Sequence, residues 1–179
     1  DILRFLTTNS RAPRLLESDL DAMAAVCLEA GAEIRRILGR YGEDAVGEAL
    51  EEMFGYGRRR VARHLQSLPG RRLEGRARLS IGATTELAVE VAGQRTEKGI
   101  VLDFAGTSTQ VAAPFNVTAD AAKAFAVLPL VSPFLDELAI NEGMLAPFDI
   151  RLPEGSLVNP SFSAATGLGA ATTCHMIAS

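Results

Sequence analysis

Residues 103–116 gather the side chains best suited to chemistry: Asp103, Gly106, Thr107, Ser108, Thr109 and Gln110, then Pro114, Phe115 and Asn116. An acid closes an extended segment, a glycine allows a tight turn, and hydroxyls with an amide crowd the exit. Such a loop can aim backbone N–H groups and side-chain oxygens at a ligand. It can also close on itself, with Asp103 and Thr107 satisfying the loop's own backbone. Residue chemistry alone favours the second reading. Further polar clusters stand at Asn141-Glu142-Gly143, Pro153-Glu154-Gly155-Ser156 and Asn159-Pro160. Singly each reads as a turn. Together they place several polar loops after strands, where sites often lie.

Other chemistries find less. Cys174 and His175 are adjacent, and a thiolate nucleophile needs a nearby base. Neighbours on a strand point to opposite faces, however, so adjacency works against the pair. His64 falls on or beside an apolar helix face and reads as a core-edge histidine. Neither a pair of histidines nor a histidine with carboxylates at ligand spacing is present, so no metal site is expected. A Walker-type phosphate loop is absent too.

The elements that must position these residues follow from periodicity. Arg11-Ala12-Pro13 should interrupt any helix, after which Ser18 or Asp19 can cap a new one. Leu20, Met23, Ala24, Cys27, Leu28, Gly31, Ile34 and Leu38 recur at steps of three and four, which predicts one buried helix face ending at Gly39 and Gly42. A second helix starts near Asp44, carries Leu50, Met53, Phe54, Val61, Leu65 and Leu68 inward, and stops at Pro69-Gly70. The short link predicts an antiparallel helix pair. The period then changes to two. Leu73, Gly75, Ala77, Leu79 and Ile81 alternate with polar residues, and Leu87, Val89 and Val91 alternate with Glu86 and Glu90. After a polar turn at 93–99 comes Ile100–Phe104, completing an antiparallel meander. Residues 118–128 read as a helix ending at Pro129, and Phe148, Ile150 and Leu152 as a further strand. The fold class is therefore α+β: an N-terminal helical segment (1–70), then a mainly antiparallel sheet segment with one further helix (71–179).

Composition narrows the function classes. Of the 179 residues 47% are apolar and 22% charged, with a net charge of −4. That acidic balance argues against nucleic-acid binding. The one basic stretch, Arg58–Arg60 with Arg63, Arg71, Arg72, Arg76 and Arg78, reads as a solvated or salt-bridged surface. Two cysteines suit a reducing, cytoplasmic compartment, and no apolar run reaches membrane-span length. The chain opens on Asp1 and stops at Ser179 inside an Ala/Gly-rich run, so it reads as an interior piece of a longer polypeptide.

The string Asp103-Phe104-Ala105-Gly106-Thr107-Ser108-Thr109-Gln110, followed by Pro114-Phe115-Asn116, resembles the D-F-x-G-T-S-x-Q … P-x-N signature of the hydantoinase B/oxoprolinase family. Asn141-Glu142-Gly143, the run from Pro153 to Pro160 and Ala164-Ala165 follow in that family's order. Arg11-Ala12-Pro13, Asp19-Leu20, Gly31 and Tyr41-Gly42 are similar to its helical segment. The resemblance spans almost the whole chain. It departs from the family at Glu17-Ser18 before Asp19, at Ala113-Pro114-Phe115 and at Ser161-Phe162-Ser163.

The resemblance implies part of the B-type component of an ATP-dependent enzyme that opens hydantoins, oxoproline or related lactams; some relatives carboxylate ketones. A hydantoinase A-type ATPase subunit or domain, carrying ATP and Mg, would phosphorylate the ring amide oxygen, giving a hetero-oligomer. No cofactor is expected within this chain. The residues expected to line a pocket or brace a loop beside it are Asp103, Gly106, Thr107 and Asn116, then Asn141 and Asn159. None is given a nucleophile or base role. Two rivals stand beside this reading: a scaffold or assembly domain without reactive residues, and an actin-like nucleotide module built on Asp103, Gly106, Thr107 and Thr109.

Overall fold

A computed structural model describes residues 2–82, 85–137 and 139–179. The chain divides into two compact units, Asp1–Glu52 and Met53–Ser179. In the first unit lie helix α1 (Ile2–Thr8), helix α2 (Pro13–Tyr41) and the opening turns of helix α3 (Glu43–Ser67). The Arg-Ala-Pro step does break the helix, but α2 restarts at Pro13 itself. Proline suits a first helical position, where its missing N–H would find no partner and its φ is already helical. Ser18 and Asp19 therefore lie inside α2 and cap nothing. Gly42, at φ 82°, ends α2 and donates its N–H to the Leu38 carbonyl at 2.8 Å.

The expected buried face of α2 is corrected by the structure: no residue of this helix is buried. Met23, Leu28 and Ile34 are 64%, 75% and 56% exposed. The stripe has its helical spacing, yet within its unit nothing lies across most of it. Periodicity places residues on one side of a helix; only a neighbouring element buries them.

In the second unit the rest of α3 leads into strands β1 (Arg72–Ile81), β2 (Thr85–Arg95) and β3 (Ile100–Asp103). Helix α4 (Ala119–Val131), the four-residue helix α5 (Glu142–Leu145), strand β4 (Phe148–Arg151) and helix α6 (Thr173–Ala178) follow. The four strands form one sheet in the order β1-β2-β3-β4. The first three pair antiparallel and β4 joins β3 in parallel, so the fold is α+β with a mainly antiparallel sheet. Two short helices, α5 and α6, add to the one that was expected.

Two boundaries moved. The turn foreseen at 93–99 shrinks, because β2 runs on to Arg95. That guanidinium donates to the carbonyls of Gln66 at 3.0 Å and of Leu68 at the end of α3. Those carbonyls lack intrahelical partners and attract a cation. Helix α4 also passes through Pro129 to Val131. So close to the helix end, the ring removes one hydrogen bond without stopping the turn.

Strand alternation gives the sheet two unlike faces. Leu87, Val89, Ile100 and Leu102 point into a core shared with Val61 and Leu65 of α3, Ala122 and Ala126 of α4, and Phe104, Leu157 and Val158. The opposite face carries Glu74, Arg76, Glu90, Asp103 and Arg151. On it Arg76 pairs with Glu90 at 2.8 Å and Arg78 with Glu86 at 2.6 Å. The foreseen basic surface is thus partly salt-bridged across strands.

Candidate functional site

Asp103 ends β3, and its Oδ1 accepts the Ala105 N–H at 2.9 Å, turning the chain at once. Gly106 follows, in close contact with the Glu90 side chain. A Cβ there would lie 2.5 Å from Glu90 Oε2 and 3.0 Å from Glu90 Cβ. The chain then runs along the part of β2 that short β3 leaves unpaired. Thr107 Oγ1 accepts from Glu90 N at 3.2 Å and donates to Glu90 O at 3.1 Å. Ser108 Oγ accepts from Ala88 N, and Ser108 N donates to Ala88 O, both at 2.9 Å. Two hydroxyls therefore continue the ladder in place of a strand. Thr107 N is also engaged, donating to Phe104 O at 3.0 Å. A phosphate arriving here would find these N–H groups occupied, which weakens the actin-like reading.

Beyond this edge lies a fully buried clamp. Asn116 is 0% exposed. Its Nδ2 donates to the carbonyls of Val111, Ala113 and Ala165 at 2.8, 3.0 and 2.9 Å, while Oδ1 accepts from Val111 N at 2.9 Å. A buried amide that leaves no donor unmatched locks the 111–116 loop to the segment at Ala165. Thr173 adds a bond from Oγ1 to Phe115 O at 2.5 Å. Asn159 Nδ2 donates to Leu152 O at 3.2 Å, within a turn that also holds buried Ser156. Gln110 and Ser161 exchange two bonds, at 2.9 and 2.7 Å.

The sequence-predicted residues thus separate into two kinds. Thr107, Asn116 and Asn159 face inward and hold backbone. Asp103 and Gly106 open onto the charged sheet face. There Ala92 stands in register between Glu74 on β1 and Asp103 on β3, with Arg151 of β4 beyond. The short alanine leaves a hollow of about 410 Å³ lined by Glu74, Arg76, Glu90, Asp103 and Gly106. A second hollow, about 270 Å³, continues it toward Arg72, Gln94 and Arg151. The Arg151 charge is held by Asp149, hydrogen-bonded at 2.9 Å, and more weakly by Asp103. Carboxylates and guanidiniums on one open face can orient a polar ring through both acceptors and donors. The residues completing this face, Glu74, Arg76, Glu90 and Arg151, were missed as site candidates. Alternation alone put the first three opposite the core; the signal was present but unread.

Asn141 stands apart from the others, against α3. A Cβ on Gly57 would meet its Oδ1 at 3.0 Å, and that buried oxygen has no hydrogen-bond partner among the described residues. His64 packs edge-on against Phe134, with ring centroids 5.2 Å apart, as a core-edge histidine should. Cys174 and His175 lie on helix α6 rather than on a strand. The thiol is buried, which raises its pKa, and His175 is exposed beside Phe125. Among the described residues no three His, Cys, Asp or Glu side chains cluster to hold a metal ion. None of their helices is long and apolar enough to cross a membrane. A larger hollow of about 480 Å³ lies between α4 and β4, lined mainly by Lys123, Val127, Leu145 and Phe148, and contains none of the predicted site residues.

Against known proteins, the family described as Hydantoinase B/oxoprolinase matches residues 1–179. The B component of a putative D-/L-hydantoinase from Pseudomonas sp. (strain NS671) is 29% identical over 174 residues, which is 90% of this chain and 29% of that protein. The structure of ATP-dependent caprolactamase from Pseudomonas jessenii superposes with a TM-score of 0.82 at 22% identity, covering 99% of this chain and 31% of that one. Nucleotide-free acetone carboxylase gives a TM-score of 0.64 at 17% identity, over 76% of this chain and 20% of that one. At such identities the two superpositions speak for the fold alone. The chain spans less than a third of the length of each of these relatives.

Proposed function

The chain belongs to the hydantoinase B/oxoprolinase family, and from that premise we propose that it forms part of the B-type component of an ATP-dependent cyclic amide hydrolase. The match over all 179 residues carries the reading. The open charged face at Asp103 is where the geometry supports it. A lactam amide resists water because its nitrogen donates into the carbonyl. In the proposed enzyme an A-type partner component binds ATP and Mg and transfers a phosphoryl group to the ring oxygen. Water then adds at the ring carbon, the C–N bond breaks with the nitrogen taking up a proton to leave an acyl phosphate, and a second water releases the phosphate. The role we assign to this chain is positioning: Asp103 accepts from the ring N–H or the water, and Arg76 and Arg151 face developing negative charge. The product is an open-chain amino acid, and the assembly is a cytoplasmic hetero-oligomer. Both cysteines are free thiols, as a reducing compartment allows.

A second reading has its own observation. Thr107, Asn116 and Asn159 all serve backbone groups, as a scaffold domain without reactive residues would have them do. Ring opening by the complete two-component enzyme, measured with Asp103→Asn and Asp103→Ala, separates the two. Positioning predicts a loss on the order of a hundredfold in kcat/KM with assembly intact. Rates within a few-fold of the unmodified enzyme would leave the scaffold reading standing.

A further inference from the structure

The charged sheet face has a floor, and we infer that Ala92 is the specificity-determining residue of the site. Its small side chain fixes how bulky a ring can lie between Glu74 and Asp103. The inference rests on the function proposed above and names what limits its substrates. Ala92 pairs in register with Glu74 of β1 on one side and with Asp103 of β3 on the other. Directly opposed residues on neighbouring strands share a face, so the two carboxylates flank the alanine methyl. Glu90 and Gln94, the next residues but one along β2, stand on that face as well. Ala92 itself is exposed. The longer side chains around it wall the hollow of about 410 Å³ and its continuation toward Gln94.

The dimensions suit a ring lying flat on the alanine. The backbones carrying Glu74 and Asp103 are two strand spacings apart, roughly 10 Å. Two hydrogen bonds of about 2.9 Å leave room between the carboxylates for one small planar ring. Arg76 holds the Glu90 carboxylate at 2.8 Å and draws it toward β1, off the floor. Thr107 fixes the Glu90 backbone N and O at 3.2 and 3.1 Å, so the strand beneath the hollow is tied on both edges. The long charged walls can rotate to meet different ring edges. The methyl of Ala92 has no such freedom, because it is one bond from the backbone. A longer side chain at this position would stand in the middle of the hollow, and a shorter one would deepen it. Small pockets discriminate by bulk in this way, a methylene at a time.

The complete two-component enzyme tests this with two series of rings. One is γ-butyrolactam, δ-valerolactam and ε-caprolactam, which grow by a ring methylene at a time; the other is hydantoin with its methyl and benzyl derivatives. The readout is the ratio of kcat/KM for bulky to small rings. Ala92→Leu should lower that ratio by roughly tenfold per step in bulk. Ala92→Gly should raise it several-fold. Ala92→Ser, which adds a hydroxyl and little bulk, should leave it within about twofold. The side chain is exposed on its strand, so all three variants should keep the Tm of the unmodified chain to within a few degrees. A ratio that neither Ala92→Leu nor Ala92→Gly moves, in an enzyme that Asp103→Asn still impairs, overturns this inference and leaves the proposed function standing. Full activity with Asp103→Asn, or opening of no ring in either series, overturns both. Failure of the Ala92→Leu chain to assemble would show that protein rather than substrate lies on Ala92, and overturns the inference as well.

Discussion

Around Asn116 and around Asp103 the chain uses similar polar residues for opposite ends. At Asn116 the amide is fully buried and makes four bonds to backbone atoms of the 111–116 and 165 segments. At Asp103 only one oxygen braces the turn, and the surrounding charges pair with each other across an open face. Burial makes the difference. A buried polar group left unmatched costs the full desolvation of that group, whereas an exposed one falls back on water. The clamp should therefore govern stability and the open face should not, and that contrast can be broken by substitution.

The largest effect is expected at the clamp. Asn116→Ala strands three carbonyls and an N–H in the interior, and should lower stability by about 4 kcal/mol or more, with a fall in Tm of about 10 °C. A calorimetric Tm within 2–3 °C of the unmodified chain (about 1 kcal/mol) would show that the clamp is dispensable. Next comes a matched pair of glycines. A Cβ on Gly169 would lie 2.2 Å from the Asn116 carbonyl oxygen, whereas one on Gly106 meets chiefly the Glu90 side chain. Backbone cannot yield and a carboxylate can. Gly169→Ala should cost about 3 kcal/mol and Gly106→Ala about 1 kcal/mol in urea unfolding; equal costs would erase the contrast.

Thr107 tests the border between the regions. Replacing it by valine keeps the shape but leaves Glu90 N and O without their hydroxyl partner, for a loss of about 1–2 kcal/mol. Asp103→Asn should change stability by less than about 0.5 kcal/mol, since an amide oxygen can still accept from Ala105. A large fall in Tm there would place Asp103 with the clamp.

The smallest effect concerns Cys174, whose burial raises its pKa above the ordinary 9.0. The unfolded thiol then ionises first, so this group's contribution is fully present below pH 9 and declines as pH rises past it. Cys174→Ala should flatten that part of the alkaline decline in Tm. Iodoacetamide should leave buried Cys174 unlabelled in the native chain and label it on unfolding.

Periodicity and chemistry, read from the sequence, went a long way in this protein. Period-two alternation located β1 and β2, the change from helical to strand spacing marked the α+β order, and the Asp103–Gln110 string carried the family resemblance. The self-satisfying reading of that loop was available too, since threonine and serine hydroxyls bond nearby backbone. The partners of those hydroxyls were not legible. Thr107 reaches Glu90 across 17 positions and Asn116 reaches Ala165 across 49. Such bonds depend on which strand stops short and which loop comes back, and local spacing holds no record of either.

The same limit explains α2 and the charged face. The apolar stripe follows from the sequence because 3.6 residues make a turn, but its exposure depends on what packs beside it. Alternation likewise put Glu74, Arg76 and Glu90 opposite the core, whereas strand register brought them to Asp103 and Arg151. Sequence decides which side of its own element a residue occupies, because backbone geometry has a fixed period. Only the tertiary structure decides what that side meets, because long-range contacts are set by the packing of the whole chain.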